Sequence, residues 1–453
     1  MLLSSGMKEE FNIEAIGSEQ MEAWITECVN VYQGNPSWLD PEDNIDTVNF
    51  AKALCSEIAR LATLGIKIQA DGSARAKWIQ EQIDRIYFQL RGWVEYGCAY
   101  GTVILKPNGE TIDLYTPEWF KVTHATGGEI EGVLFRSKPE QIGTKWYNRM
   151  EYHRFENGQY RITNKCYVGE SPNDMTTPVA IEKTPWAFMQ EDVAMENVEA
   201  PLFGVFRTPH ANNLDLDSPL GLPIISEAIQ ELRDLDIAYS RNAKEVADSK
   251  RTVLLDSDVL MPSGQRVAKN PRAWEAQRTS LGLPDMVKNV QGNGQEMFYR
   301  EINPTLNTDT RLTGINALLS QIGYKAGFSN GYFVFNESSG IQTATQVEAD
   351  QQRTIQLVKD VRDKLEACMD GLTYALNVFA DLYGLAPAGA YEIVYDFGDI
   401  TYNREEDRAR YWGYVTTGRF PFWMYLMKFE GYTEEDAKLI EKEAQPKTPA
   451  LFE

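Results

Sequence analysis

From Gln342 to Leu382 the chain runs for roughly 41 residues without a proline, and that stretch limits what the remainder can fold around. Apolar residues recur along it at helical spacing: Ile355, Val358, Val361, Leu365, Cys368, Leu372, Leu376 and Phe379. A helix of that length would reach about 60 Å at 1.5 Å per residue. Globular helices are usually shorter, so the pattern predicts a coiled coil, a repeat or a spine. Only Gly371 interrupts it, a tolerated weak point costing about 1 kcal/mol against alanine. The segment just before it reads FSNGYFVFNESSG, with Gly327, Gly331 and Gly340 as hinges and Phe328, Tyr332, Phe333 and Phe335 as bulk. Enzymes rarely need such an element; ring machines often do.

At 453 residues, with 43% hydrophobic and 11% aromatic content, the chain has material for two or three domains with real cores. Its net charge of −22 argues against a protein that grips nucleic acid and is compatible with one that lets DNA slide past. Five scattered cysteines without a CxxC pair read as buried thiols in a reducing cytoplasm. The opening MLLSSGMKEEF lacks a basic, apolar leader pattern, and no run of 18 apolar residues occurs. A soluble cytosolic product is expected.

Helical patterns occupy 18–34, 47–64 and about 73–97, each ending in glycine or close to one. An antiparallel meander is predicted from about 102 to 168, with turns at Asn108-Gly109, Gly127-Gly128 and Asn157-Gly158. Residues 169–220 are rich in proline and acid and read as irregular. Helical periodicity returns over 224–250 and again over about 308–326, separated by short strands and loops. After the long helix, YEIVYDFGD reads as a strand, and the tail as helices near 403–417, 420–430 and 433–445.

The search for chemistry returns mostly negatives. GxxxxGK[ST], HExxH, paired CxxC and GxSxG are all missing. His124, His153 and His210 are far apart in sequence and read as structural. Acidic pairs such as Glu405-Glu406 and Asp256/Asp258 arise easily among 66 acidic residues and read as solvated surface. Catalysis is not expected, and no catalytic, cofactor-binding or metal-ligating residue is predicted.

Four segments instead resemble one family. EYGCAYGTVILKP at 95–107 and TPHANNLDLDSPLGLPIISEAIQELRDLDIAYS at 208–240 are similar to portal proteins of tailed bacteriophages of the siphovirus type. So are YKAGFSNGYFVFNESSGIQTATQVEAD at 324–350 and GRFPFWMYLMKFEGYTEEDAKLIEKEA at 418–444. Each match is moderately specific; the ordered set spans nearly the whole chain.

The resemblance implies an α+β portal fold in a ring-forming subunit, with a long spine helix, a two-helix stem, a β-containing wing and clip, and a helical crown. Residues 1–222 would be the N-terminal part of the wing, 223–250 a stem helix and 251–303 the clip. A second stem helix would cover 304–327, the tunnel loop 328–341, the spine helix and the rest of the wing 342–399, and the crown 400–453. The family forms a homo-oligomeric ring, usually of twelve subunits, at one capsid vertex, with double-stranded DNA threaded through its axis. Implied partners are a separate terminase ATPase, a head-completion adaptor, and the major capsid and scaffolding proteins, with no membrane. The implied location is the virion, after assembly in the host bacterial cytoplasm.

By this reading Phe328, Asn330, Gly331, Tyr332, Phe333, Phe335, Asn336 and Gly340 belong to the tunnel loop facing the DNA channel. YFVF could equally be a buried strand, which leaves the loop's mobility open. Between 259 and 300 six basic residues stand against three acidic ones, a local +3 in a strongly acidic chain. Arg266, Lys269, Arg272 and Arg278 are therefore candidates for a docking face on the clip. Two other readings remain open: a metal-dependent DNA-processing enzyme, and a generic assembly scaffold or tail connector.

Overall fold

A computed structural model describes residues 11–40, 42, 44–109, 111–249, 252–256, 286–290, 299–302, 306–334, 344–398, 404–417, 419–430 and 432–444. Ser18 opens the first helix by accepting the Met21 N–H on its hydroxyl, which starts α1 (Glu19–Tyr32). There follow α2 (Phe50–Ala62), β1 (Lys67–Gly72), α3 (Ala74–Ile86), a 3₁₀ turn at Tyr87–Gln89 and α4 (Leu90–Tyr100). The pattern expected to make one helix over 73–97 therefore makes two, and the second ends at Gly101, whose φ of 80° suits only glycine.

The predicted meander divides between two sheets. β2 (Thr102–Asn108) and β3 (Thr111–Tyr115) leave it to pair with β11 (Gly204–Arg207), in the order β11-β2-β3. A seven-stranded antiparallel sheet takes β4 (Phe120–Thr126), β5 (Glu129–Arg136), β6 (Glu140–Ile142), β7 (Lys145–Glu156), β8 (Gln159–Gly169), β9 (Thr177–Val179) and β10 (Asp192–Met195). Its spine is β10-β8-β7-β5-β4, with β6 on β7 and β9 on β8. The Asn157-Gly158 turn has φ of 53° and 78°, the doubly positive pair that lets Glu156 face Gln159 across a two-residue hairpin. Residues 169–220, expected to be irregular, contribute β9, β10 and β11, because each completes a sheet edge that local patterning cannot reveal.

The rest of the chain comprises α5 (Ile229–Asp248), β12 (Thr252–Asp256), β13 (Met286–Val290), β14 (Tyr299–Ile302), α6 (Thr308–Lys325), α7 (Ala344–Leu382) and β15 (Tyr391–Asp396). β12 lies between β13, parallel to it, and β14, antiparallel. α8 (Arg404–Thr416), α9 (Phe422–Tyr425) and α10 (Glu434–Ala444) complete the fold.

The chain forms two compact units. The smaller takes Leu64–Lys67 and the described residues from Tyr395 onward. Within it Tyr411, Phe420, Tyr425 and Phe429 interlock at ring-centroid distances of 5.0–5.4 Å. Glu441 of α10 accepts the Phe422 N–H at the start of α9.

In the larger unit α7 has 39 residues, and Val358, Val361, Leu365, Cys368, Leu372 and Leu376 form the buried stripe that the periodicity predicts. Arg75, fully buried, clasps the C-terminal end of this helix: it donates to Asn377 O, Ala386 O and Pro387 O and pairs with Asp381 at 2.5 Å. Gly371 is more than a tolerated weak point. A Cβ there would sit 3.0 Å from Phe203 O, and one on the facing Gly204 would sit 2.0 Å from Cys368 O. Strand β11 thus lies against the helix backbone to backbone. All five cysteines are free and buried.

A buried charge cluster joins the two sheets. Lys106 on β2 donates to both oxygens of Glu151 on β7 at 3.0 Å, and Arg149 adds a third contact at 3.1 Å. His153 bonds Glu151 through Nε2 at 2.7 Å and Tyr160 through Nδ1 at 2.8 Å, and the Tyr160 oxygen accepts the Leu202 N–H. A neutral imidazole with its proton on Nε2 satisfies every group in this chain. Burial alone would raise the Glu151 pKa, but Lys106, Arg149 and His153 outweigh it and hold the carboxyl well below its usual range. Burial keeps His153 below its ordinary value against the opposing pull of Glu151.

Two outcomes follow. Gly204→Ala should destabilise by roughly 1–3 kcal/mol through overpacking. Gly371→Ala should cost less, because a helix-propensity gain of about 1 kcal/mol offsets its clash; denaturation midpoints compare the two. Glu151 and His153 both favour their deprotonated forms in the fold, so the unfolded chain binds more protons and acid destabilises. Stability should begin to fall below the ordinary histidine value of 6.5, and fall again below 4.5, where Glu151 of the unfolded chain takes up a proton that the folded carboxylate resists. Urea melts across that range should show both declines, and His153→Gln should shrink the first and leave the part that buried His210 supplies.

Candidate functional site

The segments that the sequence reading makes two stem helices and a tunnel loop fall on α5, α6 and the turn after α6. α5 and α6 are antiparallel: Lys325 at the end of α6 pairs with Glu231 in the first turn of α5 at 2.6 Å, and Arg311 near the start of α6 pairs with Glu245 near the end of α5. Lys325 at a helix C-terminus and Glu231 at a helix N-terminus each also favour the local dipole. α5 is braced by residues 38–48, where Trp38 Nε1 and the Val48 N–H donate to the buried Asp236 carboxylate at 3.0 and 2.8 Å. Tyr239 and Val246 on α5 and Leu312 and Tyr324 on α6 remain exposed.

After α6 the chain turns sharply. Gly327 and Gly331 adopt φ of 96° and 79°. The Phe328 N–H donates to Gly323 O, and Val334 N–H to Gly331 O. Ser329 and Thr354 exchange bonds, Ser329 N–H to Thr354 Oγ1 at 2.9 Å and Thr354 N–H to Ser329 Oγ at 3.2 Å, which rivets the turn to α7. Phe328, Tyr332 and Phe333 form one aromatic cluster with centroids 4.8–4.9 Å apart. Phe333 packs edge-on against Phe50 at the start of α2, at 5.1 Å. The Tyr332 hydroxyl donates to Glu57 on α2 at 2.5 Å, and Glu57 also pairs with Arg60. Burial and the Glu57 carboxylate push the Tyr332 phenol up to about 12. Arg60, against burial, holds the Glu57 carboxyl below its usual value with help from Tyr332.

This corrects part of the expectation for the loop. Phe328 is fully buried and is core: the close turn brings its Cβ over Gly323 of α6, and its ring packs against Tyr332 and Phe333. Tyr332 and Phe333 are half-buried and face α2. YFV forms turns instead of a strand, and only Asn330 and Gly331 stand on the open side. Phe335, Asn336 and Gly340 lie outside the described residues, as do Arg266, Lys269, Arg272 and Arg278. Sequence reasoning missed Phe50, Glu57 and Thr354 as anchors of the turn. Nothing in their spacing marks them, since they lie far from it along the chain.

The histidines sit on separate elements: His124 on β4, 3.5 Å from Glu131; His153 in the buried cluster; His210 in the loop after β11, where burial lowers its pKa. Among the described residues no group of three or more His, Cys, Asp or Glu could hold a metal ion, and no helix is long and apolar enough to cross a membrane.

No protein-family model and no curated protein matches the chain. Among solved structures it is similar to a chain of "Virion of native gene transfer agent (GTA) particle", with a TM-score of 0.42 and 11% identity over 92% of this chain and 93% of that one. A likeness of that degree carries no argument about fold or role.

The packing sets the expected response of the turn. Phe328→Ala should cost about 3–5 kcal/mol as a core truncation, whereas Tyr332→Phe should cost about 1 kcal/mol for one hydrogen bond. Thermal melts of the two variants against the parent chain check this ordering.

Proposed function

We propose that this chain is the subunit of a viral portal ring, through which double-stranded DNA enters and leaves a capsid. In that role it docks a terminase during packaging and a head-completion adaptor afterwards, and does no chemistry itself. The observation that carries the reading is the order of elements. A 20-residue helix, a three-stranded sheet, an antiparallel 18-residue partner helix, a glycine-aromatic turn and a 39-residue helix succeed one another as stem, clip, stem, tunnel-loop root and spine. The two stem helices would reach about 30 and 27 Å. They stand on a body whose sheets and helices are cross-braced by Arg75 and the Glu151 cluster, which suits a rigid frame bearing load.

The buried position of Phe328 refines the proposed gate. Phe328, Tyr332 and Phe333 serve as the fixed root of the proposed tunnel loop. A net charge of −22 supports the conduit role, since each Lys or Arg contact to phosphate adds grip that a moving filament must break.

Mass photometry and negative-stain images of the purified chain test the reading. Closed rings with a central hole are expected, because head-to-tail contacts between identical subunits close into rings when the rotation allows. A chain that stays monomeric, or stops at a two-fold dimer, at every concentration is not a portal subunit.

A further inference from the structure

A cleft of about 950 Å³ lies between α3, the β2–β3 hairpin, the β8–β10 edge of the large sheet and the end of α7. Its rim carries four large apolar side chains that a soluble monomer would be expected to cover: Phe188 (79% exposed), Tyr383 (64%), Leu382 and Leu385 (49% each). Val193, Met195 and Phe379 extend the apolar lining inward. Arg85 is the exposed charged group of the lining; Lys106, Arg149 and Glu151 are buried at its floor and satisfy one another, so the cleft presents no exposed carboxylate in a chain of −22. Aromatic, Met and Arg side chains around an apolar centre are the composition of protein-binding hot spots.

The same chain presents a shape that fits this cleft. In the 211–220 loop Leu216 is 88% exposed, flanked by Asp215 and Asp217. The loop is held in place: Asn212 Oδ1 accepts the N–H groups of Leu214 and Asp215, and Asp215 accepts from Ser18 N–H at 2.8 Å and Asp217 N–H at 3.3 Å. An apolar tip between two carboxylates, ordered in advance, loses little entropy on docking.

Knob and cleft lie at opposite margins of one sheet. The loop is tied to Ser18, and the chain two residues earlier is bonded to β4 through Ile16 N–H to Val122 O. The cleft is lined by residues of β8 and β10, at the other end of the order β10-β8-β7-β5-β4. Four strand spacings separate the two margins, about 19 Å. A knob at one margin and its complement at the other cannot satisfy each other within one subunit, but they can between successive subunits.

We infer that Leu216, with Asp215 and Asp217, inserts into the Phe188–Tyr383–Leu385 cleft of a second copy of this chain, forming the head-to-tail contact that propagates the assembly. Such a contact is heterologous, so it generates rings or filaments and never a closed two-fold dimer. The inference rests on the ring reading and names the surfaces that make the ring.

Cross-linking and assembly measurements on the full chain test it. Because all five native cysteines are buried, Leu216→Cys and Phe188→Cys variants add an exposed thiol each. Mixed under mild oxidation, they should give a disulfide-linked pair of one chain of each kind, reversed by reductant and formed by neither variant alone. Separately, Leu216→Asp and Tyr383→Asp, both at exposed positions, should leave the circular dichroism unchanged. Each should raise the concentration for half-assembly at least about tenfold, as loss of a hot-spot anchor does. Parent chain that assembles while both Asp variants assemble equally well, with no mixed cross-link, overturns the pairing and leaves the ring reading standing. Parent chain that never self-associates overturns both.

Discussion

The larger unit is organised around the place where α7 lies directly on β11. Gly204 and Gly371 face one another there without side chains, so strand and helix backbones approach more closely than any Cβ would allow. A helix of 39 residues cannot be held by propensity alone; it needs an apolar face packed along its length. The close crossing lets Leu372, Ala375 and Leu376 reach the interior, where Ala375 joins Tyr160, Met195 and Leu202 in one cluster. Arg75 then fixes the helix end by capping exposed carbonyls.

The Glu151 cluster is the polar counterpart of that crossing. Removing two cations, a carboxylate and an imidazole from water is costly, and the fold offsets it only because every partner is present at 2.7–3.1 Å. Phe135 packs against both His153 and Phe203, so the charge network and the aromatic core share walls. Apolar contact alone would tolerate small slips between the two sheets, whereas this network requires one registration of β2 against β7.

The turn after α6 is held from two sides. Phe333 and Tyr332 hold it to α2, and Ser329 holds it to α7. Exposed apolar groups stand at the cleft rim, on the 211–220 loop and along α5 and α6, and also at Tyr87, Phe88 and Tyr96 and on the helices of the smaller unit.

Local pattern was enough to read much of this fold. The buried stripe of α7 from Val358 to Leu376, helices α5 and α6, the tail helices and the Asn157-Gly158 hairpin follow from spacing and turn chemistry, because i, i+3, i+4 burial and doubly positive φ are written into adjacent residues. Tertiary structure alone decided what depends on distant partners. It moved β2 and β3 into a sheet with β11, turned Gly371 from a weak point into a crossing that faces Gly204, and drew Phe328 out of an expected channel loop into the core. It also assembled Lys106, Glu151 and His153 into one buried network and set Leu216 and its complementary cleft at opposite sheet margins. Each of these pairs or groups is separated along the chain or across the sheet, and only the folded backbone brings their geometry into being.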